Sequence, residues 1–134
     1  MDIAAQDLFL KSVSALYHIG FAVFHIFFWK LFSWKKSLQK ANTADRAVIQ
    51  ILNLCLILVF FFFASLMYWI PNEVLRSNFG LLVVGFLLLF WVLRFIYQFI
   101  FLPQNNRLVR ALNLIFFLGI LIHSVIFWNL VSTV

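Results

Sequence analysis

Four stretches of the chain are apolar almost without interruption, and each is bounded by charged or helix-breaking residues. They run from about 13–32, 47–70, 79–101 and 109–131. A bilayer-crossing helix needs roughly 20 apolar residues at 1.5 Å each, so each stretch is long enough to span. A membrane barrel alternates polar and apolar positions. Phe60-Phe61-Phe62-Phe63 and Leu87-Leu88-Leu89-Phe90 do not alternate, so the pattern predicts helices. The expected fold is all-α, a four-helix transmembrane bundle made of two tandem helical hairpins, with residues 1–134 forming a single integral membrane domain.

The punctuation supports this division. Pro71 and Pro103 follow the second and third stretches, and proline both blocks helix continuation and disfavours helix in the residue before it. Asn42-Thr43-Ala44-Asp45 supplies candidate caps for the second helix. Trp29, Trp34, Tyr68, Trp69 and Trp128 lie near span ends, where amphipathic rings favour the interface. The first stretch does not read as a cleaved signal peptide: Asp2 and Asp7 precede it, and no small-residue cleavage pattern follows.

Composition agrees with lipid as the solvent. Of 134 residues, 66% are hydrophobic and 10% charged, against about a quarter charged in a soluble domain. Soluble enzyme, nucleic-acid binder and disordered tail are excluded on that ground. The net charge of +6 does not restore nucleic acid as a partner, because the basic residues cluster at span ends. Lys30, Lys35, Lys36, Lys40 and Arg46 surround the first connection, and Arg107 and Arg110 the third. The opposite ends carry only Lys11 and Arg76, offset by Asp2, Asp7 and Glu73. By the positive-inside rule, the basic loops are expected in the cytoplasm and both termini outside, in a cell (inner) membrane. The single cysteine, Cys55, excludes an intrachain disulfide and is expected to be a packed thiol.

An internal match suggests duplication. Residues 48–54, VIQILNL, align with 108–114, LVRALNL, which makes Asn53 and Asn113 equivalent positions. Two hairpins of one orientation would be related as parallel repeats.

Function must come from the few polar groups in the spans, because such groups are expensive in hydrocarbon and turn inward. They are His18, His25, Asn53, Arg94, Gln98, Asn113 and His123. Ser14, His18, Phe21 and His25 step by four, three and four, which keeps them on one helix stripe. Trp91, Arg94 and Gln98 share another. His25, Asn53, Arg94, Gln98 and Asn113 are the expected ligand or polar cluster. Within it the asparagines suit interhelical hydrogen bonding, and Arg94 either snorkels to phosphates or faces inward toward an anion. His18 and His123 fall about 9 Å and 12 Å from the same edge of the span at 1.5 Å per residue. That is the depth match a b-type haem would need from two imidazoles.

No Asp or Glu lies within a span, so the membrane carboxylate on which small proton-coupled exporters depend is missing. Quinone-linked disulfide enzymes need paired cysteines, and this chain has one. No phosphate, acyl-transfer or hydrolase motif occurs, and no protein metal site is expected. The expected protein is therefore a non-enzymatic membrane accessory subunit or a bundle that holds a hydrophobic or anionic lipid-like ligand. Its expected partners are membrane lipids and either a membrane protein or a second copy of itself. The alternatives are a b-type haem electron-transfer subunit and a small anion-selective channel or transporter.

Overall fold

A computed structural model describes residues 3–132; Asp2, invoked above for charge balance, lies outside the described residues. The fold is all-α. The long helices are α1 (Ile3–Ile26), α4 (Thr43–Trp69), α6 (Asn78–Phe101) and α7 (Arg107–Val131). Each is long and apolar enough to cross a membrane, as in a multi-pass membrane protein. Short pieces join them: α2 (Phe28–Leu31), α3 (Trp34–Ser37) and a 3-10 turn (Leu38–Lys40) before α4, and α5 (Asn72–Leu75) before α6.

The first helix begins ten residues earlier than the hydropathy pattern places it, because Asp7 and Lys11 are carried inside it. Asp7 is only 2% exposed. Its carboxylate takes two hydrogen bonds from Arg76, Nε to Oδ2 at 2.7 Å and Nη2 to Oδ1 at 2.6 Å. Such a bidentate pair neutralises a carboxylate and fixes its geometry, so the charge does not stop the helix. Beyond Ile26 the chain hitches at Phe27, whose N–H is shared between the carbonyls of Val23 and Phe24. It turns decisively at Ser33, in the left-handed region at φ 48°.

The other ends follow local rules. Asn42 Oδ1 accepts from Asp45 N–H at 2.8 Å, and Asn42 Nδ2 donates to Asp45 Oδ2 at 2.7 Å, which closes the start of α4. Asn106 caps α7 by accepting from Leu108 N–H. Leu102, ahead of Pro103, is extended, the conformation proline imposes on its predecessor.

The chain divides into two compact units. One comprises Lys11–Trp69; the other comprises the residues up to Leu10 together with those from Ile70 onward. In the first, α1 and α4 meet through rings. Phe60, 3% exposed, lies 5.4 Å from Phe21 and 5.1 Å from His25, centroid to centroid. In the second, α6 and α7 come into close backbone approach. Gly85 faces Phe127 so tightly that a Cβ would lie 3.2 Å from its ring. Gly80 is tighter still: a Cβ there would collide with the Leu75 carbonyl at the end of α5. Cys55, expected as a packed thiol, is exposed on α4. It sits two residues past buried Asn53, which at 100° per residue turns it to the far side of the helix.

Candidate functional site

The end of α6 is built by a shortage of donors. A helix leaves its last carbonyls without partners, and Pro103 has no N–H to offer. Gln104 supplies a side-chain donor there: its Nε2 donates to the carbonyl of Leu102 at 2.9 Å and, beside the Leu102 N–H, to that of Gln98 at 3.0 Å. That leaves Gln104 Oε1 as an acceptor, and Asn113 Nδ2 on α7 donates to it at 2.6 Å. One loop glutamine thus closes α6 and ties it to α7.

Arg94 sits about two turns inside this end. Its Nη1 donates to Gln98 Oε1 at 2.9 Å, and its guanidinium carbon lies 4.3 Å above the Phe116 ring on α7. The side chain therefore faces the neighbouring helix, the inward alternative of the two expected for it. A cation over an aromatic face gains about 0.5–2 kcal/mol, more as water is removed. Phe116 stacks on Trp91 at 6.2 Å, and Trp91 on His123 at 6.4 Å, so the cation tops a column of rings. Among the described residues no carboxylate pairs with Arg94. Arg94 thus has an amide and a ring for company but no carboxylate. Two polar atoms of the network, Gln98 Nε2 and Asn113 Oδ1, are buried without a hydrogen-bond partner. A buried polar group without a partner costs about 1–3 kcal/mol, so the site retains one donor and one acceptor beyond what the protein uses.

The remaining expected residues lie elsewhere. Asn53, 3% exposed, donates from Nδ2 to the His25 carbonyl at 3.0 Å. It thereby satisfies an orphan acceptor in the last turn of α1. Its Oδ1 is buried without a partner. His25 itself is packed among rings, 4.2 Å from Phe28. The expected cluster of five therefore divides: Arg94, Gln98 and Asn113 join one network in the second unit, while His25 and Asn53 meet in the first.

His18 and His123 are each fully buried, one in each unit. Each donates from Nδ1 to the carbonyl four residues upstream at 2.8 Å, His18 to Ser14 and His123 to Gly119. That bond sets the tautomer of both rings. Among the described residues no three His, Cys, Asp or Glu side chains gather to hold a metal ion.

Arg76 marks a different location, the connection before α6. Its hydrogen bond with Asp7 raises it above the ordinary guanidinium value. The contribution of the Arg76 charge is therefore complete at neutral pH and declines only as pH rises far into the alkaline range. Arg76 Nη2 also lies 3.4 Å from Asn129 Oδ1 on α7.

In the first unit, an open groove of about 470 Å³ runs along α1 and α4. Ala15, Leu16, Ile19, Phe61 and Ala64 line it, with hydroxyls from Ser12, Ser65 and Tyr68. Sequence reasoning missed this groove, and it missed Gln104, which stands in a polar loop like any other glutamine. The one available signal for Gln104 was its place directly after a proline that ends a helix.

Comparison with known proteins finds no matching family model, no matching curated protein and no matching solved structure.

Proposed function

We propose that this protein is a non-enzymatic membrane protein that holds an anionic, lipid-like ligand against Arg94, and that it acts as an accessory subunit through contacts made within the bilayer. The observation that carries the reading is the lone cation. Arg94 is partly buried, faces Phe116 and Gln98, and among the described residues has no carboxylate to neutralise it. An anion there gains charge-assisted hydrogen bonds, which are about twice as strong as neutral ones. Gln98 Nε2 adds an unused donor to the same network. The apolar groove along α1 and α4 independently suits hydrocarbon chains. The expected setting is a cell membrane with both termini outside and the basic loops in the cytoplasm. The concentration of Lys and Arg in those loops supports that orientation.

Gentle extraction followed by native mass spectrometry tests the reading. The wild-type chain is expected to retain an anionic lipid-like molecule, and Arg94→Gln to retain about tenfold less, the loss for a hydrogen bond to a charged group. Equal retention by both proteins would refute it.

A further inference from the structure

The connection between α1 and α4 is built like neither a water-facing loop nor a spanning segment. Its three helical pieces, Phe28–Leu31, Trp34–Ser37 and Leu38–Lys40, contain no buried residue. Yet Phe27 is 55% exposed, Leu31 47% and Phe32 37%. Water does not favour so much exposed apolar surface in one short stretch. The rings are organised: Phe28 lies 4.8 Å from Phe32 and 5.8 Å from Trp34, and Trp29 lies 5.1 Å from Trp34. Left-handed Ser33 folds the two halves of that cluster together.

Interleaved with the rings are Lys30, Lys35, Lys36 and Lys40, all exposed. No acidic residue occurs between Asp7 and Asp45, and Asp45 is engaged by Asn42. The fifth basic group is spent on architecture. Arg46 donates to the carbonyls of Leu38 at 3.2 Å and Ala41 at 3.3 Å, which fastens the end of the connection to α4 and holds the lysines in place.

Aromatic rings beside exposed lysines that form no ion pair among the described residues, fixed next to two bilayer-spanning helices, match the layered chemistry of a membrane surface. The rings belong at the acyl–headgroup boundary and the ammonium groups among phosphates. We infer that residues 27–41 form an interfacial anchor whose partner is an anionic phospholipid surface, separate from the ligand assigned to Arg94. Recognition here is by charge density rather than by shape, since lysine acts as a flexible point charge. Each lysine at such a surface contributes comparably, and screening weakens all of them together.

Hydrogen exchange on the full chain in nanodiscs tests this. Discs of phosphatidylcholine alone are compared with discs of phosphatidylcholine and phosphatidylglycerol. Peptides covering 27–41 are expected to exchange at least about fivefold more slowly in the anionic discs, the effect of one lysine held at an anionic surface. The difference should vanish near 1 M salt, where the screening length is about 3 Å. It should also vanish when Lys30, Lys35, Lys36 and Lys40 are all replaced by Gln, and persist in Arg94→Gln. Equal exchange in the two discs would overturn the inference, leaving the lysines as topology signals only. So would a difference that survives both salt and the fourfold replacement. The lipid and salt arms use the wild-type chain, so a poorly folding variant does not blunt the test.

Discussion

The α1–α4 pair and the α6–α7 pair solve the same problem with different materials. Each must hold two apolar helices together in a solvent as apolar as they are, so packing and hydrogen bonds do the work rather than exclusion of water. The first pair uses rings, with Phe60 at the centre of Phe21, His18 and His25. The second uses close approach of Gly85 to the Phe127 ring and a polar knot at Arg94, Gln98, Gln104 and Asn113. Beneath the difference lies a shared plan. In each pair an asparagine reaches back to the end of the preceding helix, Asn53 to the His25 carbonyl and Asn113 to the glutamine that closes α6. In each, one histidine bonds the carbonyl a turn upstream. The lesson is that the asparagine common to VIQILNL and LVRALNL ties two helices in both pairs, while the filler between helices differs.

The largest expected effect tests the ring-built side. Phe60→Ala should destabilise the protein by about 3 kcal/mol, the low end for removing a buried phenyl ring, because lipid also solvates the opened state. A thermal melt within a degree of wild type would show that the rings only fill space. Of similar size is Asp7→Ala, which leaves Arg76 facing a lost partner. Breaking a buried pair costs about 3–5 kcal/mol, and the partly exposed Arg76 places this one at the lower end. Its melting temperature should fall, and Arg76→Ala combined with it should cost little more.

Glycine separates the two pairs next. Gly80→Ala must push a methyl group against the Leu75 backbone and should cost about 1–3 kcal/mol. Gly20, with nothing within 4 Å of a built Cβ, should accept alanine and gain up to about 1 kcal/mol. Equal melting shifts for both would contradict the contrast. The smallest effects examine the shared plan: Asn53→Leu and Asn113→Leu should each cost about 0.6–2 kcal/mol, and a large gap between them would argue against equivalence.

Much of this was readable from residue order. The four helices, the stop at Pro71, the extended residue before Pro103 and the cap at Asn42 all follow from local rules. So does the buried stripe of Ser14, His18, Phe21 and His25, because a helix turns every fourth residue back to one face. Hydropathy failed at the start of α1, where Asp7 looks like a terminator until Arg76, 69 residues away, is seen to neutralise it. It failed too for Cys55, whose apolar surroundings in sequence say nothing of which way it turns.

Residue order by itself determined which segments are helical, where all but the first begin and end, and where the polar stripe of α1 lies, since those depend on neighbours within a few positions along the chain. Tertiary structure alone decided that Arg94 lies over Phe116, that Gln104 bridges α6 to Asn113, and that Asp7 is paired. These choices depend on distances between residues far apart in sequence, and an orphan polar group takes whichever partner the packed helices bring within reach.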